Sequence, residues 1–154
     1  MEYKITFAEN TIKVLDISYN IILKTIRKQH FFKRKYLIYD KNDNLLLLFQ
    51  KTDFILIFTK TKILINNLER NLDYKVKGLT YILKVNSDCI QFRGKVAGYL
   101  KSEFEMNGKS IGFINEQYKY PNNMITVSFP IDDTINKFCL ILLIIATVNY
   151  WDPN

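Results

Sequence analysis

The chain is poor in the residues that staple small folds together. Its two cysteines, Cys89 and Cys139, stand far apart in sequence. Such a pair is neither a disulfide framework nor a metal-ligand cluster. Both are read as reduced, buried thiols, the usual state of free cysteine. A single histidine, His30, excludes a His-rich metal centre and leaves one partner for any cysteine nucleophile. Only five glycines and three prolines occur in 154 residues, which excludes long flexible linkers. The N-terminus, Met1-Glu2-Tyr3-Lys4-Ile5-Thr6, lacks the basic and apolar regions of a secretory signal. A cytoplasmic location, with peripheral contact to a membrane allowed, is the expectation.

Familiar catalytic signatures are missing as well. There is no Gly-x-Gly-x-x-Gly. Gly108-Lys109-Ser110 has the last letters of a phosphate-binding loop, but position 103 is Glu where that loop needs glycine. The surroundings read as a hairpin. A Cys–His pair is poorly served, because Cys139 lies in an apolar run where a thiolate is disfavoured. Cys89 begins a strand after a turn, where it is more open to solvent. Asp132-Asp133 is more economically a helix cap than a catalytic dyad. The expectation is a non-enzymatic protein with no cofactor and no metal.

What is present is a β pattern. Hydrophobic residues make up 48% and aromatics 14% of the chain, a globular composition rich in strand formers. Period-two alternation is clear in Cys89–Val96, in Tyr99–Met106 and in Met124–Phe129, each with one apolar and one polar face. Further runs are Tyr3–Phe7, Ile12–Ile17, Ile21–Ile26, Tyr36–Tyr39, Leu45–Gln50, Phe54–Phe58, Ile63–Ile65, Tyr81–Val85 and Ile111–Ile114. Leu45–Phe49 is apolar on both faces and reads as covered on both sides. Lys41-Asn42-Asp43-Asn44, Asn86-Ser87-Asp88, Asn107-Gly108-Lys109 and Pro121-Asn122-Asn123 punctuate the runs. Asn, Asp and Gly tolerate the positive φ that tight turns require. About a dozen short strands with short connections predict one antiparallel domain over 1–154, as a closed barrel or a sandwich. Tyr36–Asp40, a turn and Leu45–Leu47 echo Phe104–Met106, a turn and Ile111–Ile114, which predicts two similar halves.

The C-terminal segment breaks this period. Phe138 to Val148 is apolar at every helical position and carries no polar stripe. It predicts a helix over about 133–150 that must be surrounded on all sides. Eleven residues give about 16 Å of helix, against a bilayer core of about 30 Å. Lys137 and Asn149 bracket the run. The segment is therefore read as a plug in the barrel, contributing on the order of 12–24 kcal/mol of burial before entropy.

Charge is unevenly placed. The net charge is +7, and no acidic residue occurs between Asp16 and Asp40. That interval holds Lys24, Arg27, Lys28, Lys33, Arg34 and Lys35. A solvated hairpin is one reading of the cluster. An anionic partner is the other: an anionic membrane surface, a phosphoinositide or nucleic acid. Nucleic acid is the weaker candidate, because no recognition helix or RNA-binding aromatic motif is present. Phe31, Phe32 and Tyr36 lie among the cations and could dip into a membrane interface. The competing reading is a protein-interaction or self-associating domain that uses Phe31-Phe32 or Leu45–Phe49 as an apolar patch.

Several segments taken together resemble the tubby-like superfamily, and most of all its LURP-one-related and small bacterial branches. They are Phe92-Arg93-Gly94, Phe104-Glu105-Met106-Asn107-Gly108-Lys109-Ser110-Ile111-Gly112, Ile125-Thr126-Val127-Ser128-Phe129, Asp132-Asp133 and the run Phe138–Val148. The likeness spans about Tyr36 to Trp151. It implies a closed twelve-stranded antiparallel β-barrel with a hydrophobic C-terminal helix through its centre. Relatives in that superfamily include phosphoinositide-binding domains and phospholipid scramblases. No catalytic set, and no lipid-contacting lysine or arginine, carries over residue by residue.

Overall fold

The computed structural model describes residues 1–54, 58–94, 101–119, 122–130 and 133–148. Twelve strands run in chain order: β1 (Glu2–Ala8), β2 (Thr11–Leu15), β3 (Ile21–His30), β4 (Lys33–Asp40), β5 (Leu45–Phe54), β6 (Phe58–Asn66), β7 (Leu72–Lys77), β8 (Thr80–Val85), β9 (Asp88–Arg93), β10 (Lys101–Met106), β11 (Lys109–Lys119) and β12 (Asn122–Ser128). They form one sheet in the order β6-β5-β4-β3-β2-β1-β12-β11-β10-β9-β8-β7. Every pairing is antiparallel. The sheet curls into a nearly closed barrel. β6 and β7 lie beside each other, but no hydrogen-bonded ladder joins them among the described residues.

Twelve is the expected number, reached by two compensating differences. Leu45–Gln50, Phe54–Phe58 and Ile63–Ile65 are not three strands but the arms of one long hairpin, in which Phe54 pairs with Phe58. Residues 55–57 lie outside the described residues. β7 was not anticipated. Asp73, Lys75, Val76 and Lys77 are all exposed on it, so it carries little apolar signal. The two echoing segments fall on β4–β5 and β10–β11, six strands apart, half of the twelve.

Local chemistry accounts for the turns. Asn107 and Gly108 both take positive φ, +51° and +80°, as a two-residue hairpin turn of this hand requires. The β2–β3 and β4–β5 loops are near copies. Asp16 Oδ1 accepts from the Ser18 and Asn20 amides, and Asp40 Oδ1 accepts from those of Asn42 and Asn44. These bonds hold both carboxyls below their ordinary range, the side-chain amides of Asn20 and Asn44 contributing most.

The helix, α1 (Asp133–Thr147), lies inside the barrel. Every residue from Phe138 to Val148 is buried, and Cys139, Ile141, Leu142, Ile144 and Ile145 are wholly so. The inner faces of the strands meet it with Ile5, Val14, Leu23, Ile38, Leu47, Phe49, Leu83, Ile90, Phe104 and Val127. Asn122 and Asn123, read as part of a turn, are the first residues of β12 and pair with Lys119 and Tyr118. Pro121, Asp132, the Asp133 side chain, the Tyr99 end of its strand and the bracketing Asn149 lie outside what the structure describes. No described helix is long and apolar enough to cross a membrane.

Aromatic rings line one side of the interior. Tyr81 stacks on Phe92, Phe92 meets Phe104 edge-on, and Phe104 abuts Phe129, at centroid separations of 5.1, 5.1 and 5.3 Å. Gly112 pairs with Phe104 across the strands. A Cβ on Gly112 would stand 2.3 Å from Phe129 Cδ1, so glycine here is the space that the Phe129 ring fills.

Candidate functional site

Directly opposed residues of an antiparallel pair share a face. This sorts the six basic residues of the sequence cluster. Tyr36, Ile38, Leu47 and Phe49 are buried and mark the inner face. Lys28 pairs with Lys35, Lys35 with Gln50, and Gln50 with Lys62. One step nearer the β3–β4 turn, His30 pairs with Lys33, Lys33 with Thr52, and Thr52 with Lys60. Both rows lie on the outer face. They place Lys28, Lys33, Lys35, Lys60 and Lys62 together, all exposed, and neither row contains a carboxylate. Lys24 lies further along the same face, half-buried, with Nζ 3.9 Å from Asp43 Oδ1.

Arg27 and Arg34 do not join this face. Arg27 pairs with the buried Tyr36, and its Nε donates to Asn10 Oδ1 at 3.2 Å. Arg34 shares the inner register with Tyr36 and Ile38 and forms an ion pair with Asp53. The sequence leaves open whether these six residues form one continuous patch. Strand alternation turns two of the six inward, and β6 supplies Lys60 and Lys62 instead. Those two lysines are distant in sequence from the cluster. Their spacing of two, in a strand alternating with Thr61 and Ile63, was the available signal.

The β3–β4 turn carries the second element of the site. Phe31 and Phe32 are its two residues, 83% and 78% exposed. Phe31 takes φ +49°, a conformation that asparagine and glycine adopt readily and a bulky side chain avoids. Its ring lies 5.0 Å from that of His30, edge to face. Two aromatics thus project from a strained turn at the end of two rows that hold only cations and neutral groups.

Two other expectations are corrected. Tyr36 is not an interfacial residue. It is 2% exposed and stacks on Phe49 at 4.9 Å, and burial raises its hydroxyl's pKa. Leu45–Phe49 is not an open apolar patch. A register shift between Ile38 and Tyr39 makes Leu46 an extra residue on β5. Leu46, Leu47 and Phe49 are consequently all buried.

An unanticipated group lies beneath the basic face. Lys51 follows Leu47 and Phe49 in the inner register and is wholly buried. Its Nζ has no hydrogen-bond partner among the described residues. Burial drives its pKa down from 10.5 to about 6. The nearby Arg34 charge adds to the fall, and the Asp53 carboxylate opposes it. Lys51 is directly opposite Arg34 across β4–β5.

The remaining chemical candidates are dispersed. Burial pushes the Cys139 thiol up to about 12, so it is held as the thiol. His30 on β3 and Cys89 on β9 are separated in the sheet by five strands. Lys109 and Ser110 continue into β11 from a hairpin turn, not from a phosphate loop into a helix. No cluster of metal-binding side chains occurs among the described residues.

Fold and site together define a twelve-stranded, nearly closed β-barrel, plugged by its own apolar helix, with one lysine-lined face ending in an aromatic turn. A protein of Arabidopsis thaliana with a known X-ray structure superimposes over 96% of this chain and 91% of its own, with 12% identity and a TM-score of 0.39. No protein-family profile matches the chain, and no curated protein sequence matches it.

Proposed function

We propose that this chain is a non-enzymatic binding domain that docks on anionic phospholipid surfaces through the outer face of β3–β6. The observation that carries the reading is the Phe31-Phe32 turn. A tight turn gains nothing structural from two exposed phenylalanines, and the left-handed backbone at Phe31 costs about 1 kcal/mol. Aromatics displayed in this way suit the boundary between headgroups and acyl chains.

The lysine rows supply the long-range attraction. Lys28 opposite Lys35 is a like-charged cross-strand pair that destabilises a free sheet. An anionic surface reverses that repulsion. Each lysine held near such a surface contributes about 1 kcal/mol. The plugged barrel acts as a rigid platform, so affinity depends on the surface and not on a fold change. The tubby-like resemblance points the same way, since that superfamily includes phosphoinositide-binding domains.

The test is co-sedimentation with phosphatidylcholine vesicles and with vesicles containing phosphatidylserine, at low and moderate salt, with duplex DNA as competitor. Binding restricted to anionic vesicles, weakened by salt and abolished by Phe31→Asn/Phe32→Gly, is the expected result. That double variant supplies the ordinary residues of a two-residue turn, so it should fold at least as stably as the parent. Equal sedimentation of variant and parent contradicts the role of the turn. Failure to bind any vesicle, together with a concentration-dependent mass in light scattering, transfers Phe31-Phe32 to a self-association surface.

A further inference from the structure

A buried lysine amine with no partner is a costly choice where leucine or methionine would fill the same space. Lys51 occupies that position on the inner face of β5, on the opposite side of the sheet from the proposed docking surface. Its cross-strand neighbour is another cation, Arg34, whose side chain is 18% exposed. The Asp53 carboxylate, 41% exposed, holds Arg34 and also accepts from Thr59 Oγ1 at 3.0 Å. The charged groups acting on the amine are therefore Arg34 of β4 and Asp53 of β5. Gln29 of β3, opposite Arg34, and Thr61 of β6, opposite Lys51, extend the row without charge.

From this geometry we infer that Lys51 and Arg34 form an inner anion site, closed by Asp53, that accepts one phosphate group. The exposed carboxylate is the latch. An incoming phosphate replaces it on Arg34, and the Asp53 side chain swings toward solvent, which it already meets. Phosphate brings more charge and more acceptor oxygens than one carboxylate, enough to satisfy both Arg34 and the Lys51 amine. The inference deepens the membrane reading, on which it rests for the choice of phosphate as the anion.

The site has a signature that surface lysines lack. Lys51 is held neutral in the free protein, and a bound phosphate dianion restores its positive charge. Binding therefore takes up a proton.

Glycerol 3-phosphate is titrated calorimetrically into the full chain at pH 8, where the phosphate is already dianionic, in buffers of differing ionisation enthalpy. The expected result is close to one proton taken up per phosphate bound, with affinity falling tenfold or more in Lys51→Met. A second arm compares vesicles of phosphatidic acid and phosphatidylserine at matched charge. The parent should prefer phosphatidic acid several-fold, and Lys51→Met should lose that preference while still sedimenting with both. Proton-coupled binding of glycerol 3-phosphate identifies a site open to free phosphate. A Lys51-dependent vesicle preference without such binding identifies the lipid headgroup as its source. Proton-neutral binding, unchanged affinity in Lys51→Met, or the absence of both effects overturns the inner site. The docking face still stands in those cases if the turn variant loses vesicle binding.

Discussion

Replacing Lys51 with methionine keeps most of the length of the side chain and removes its amine. In the unfolded chain the amine titrates near 10.5, and in the barrel near 6. Between those values the unfolded state carries one proton more than the native state, so the linkage sign is positive. Stability rises with pH through this window by about 1.4 kcal/mol per unit. At pH 7 the requirement that the amine be neutral costs the native state about 4–5 kcal/mol. Methionine is free of that requirement and is a common filler of irregular interior space. Lys51→Met should therefore be more stable than the parent by about 4–5 kcal/mol at pH 7, less any loss from imperfect packing. The margin should shrink by about 1.4 kcal/mol for each unit of pH above 7. Urea unfolding at 25 °C, at pH 7, 8 and 9, measures it directly as a displacement of the midpoint. A less stable variant refutes the reasoning, and so does a margin that stays constant with pH.

Other consequences follow from the interior. Gly112→Ala should destabilise the barrel by about 1–3 kcal/mol in urea, because the added carbon collides with the Phe129 ring and with the Ser128 carbonyl. Leu142→Ala, in the middle of the plug, should cost about 2–5 kcal/mol, and truncation before Phe138 should abolish cooperative unfolding. A thiol reagent at neutral pH should modify Cys89, which is half-buried, while Cys139 reacts only on unfolding. Two fast-reacting thiols in the native protein would place the helix outside the barrel.

Most of the architecture was legible because it depends on periodicity and turn chemistry. Residues alternating at period two went to opposite faces in β8, β9 and β12, and the all-apolar run became the enclosed helix. Asp and Asn marked the β4–β5, β8–β9 and β10–β11 turns, where they accept local amides or take positive φ. What stayed hidden breaks those local rules. The β3–β4 turn is built from two phenylalanines, which no turn propensity favours. β7 presents mostly polar or exposed side chains and takes its place in the sheet from pairing with β8. The division of the basic cluster was within reach: Arg34 has the same parity as Tyr36 and Ile38, and Lys51 the same parity as Leu47 and Phe49. Charge alone suggested surface, while register placed both side chains inward. The contribution of Lys60 and Lys62 required the β5–β6 pairing, which brings distant residues into one row.

The central claim is that the aromatic turn enters an anionic membrane while the lysine face rests on its headgroups. The most direct measurement places a tryptophan at the turn, as Phe32→Trp in a Trp151→Phe background, and reads its fluorescence with vesicles whose acyl chains carry bromine. The account predicts a blue shift and strong quenching with phosphatidylserine vesicles, reversed by salt and absent with phosphatidylcholine alone. Emission that stays unshifted and unquenched at lipid concentrations where the protein sediments would place the turn in water and contradict the account.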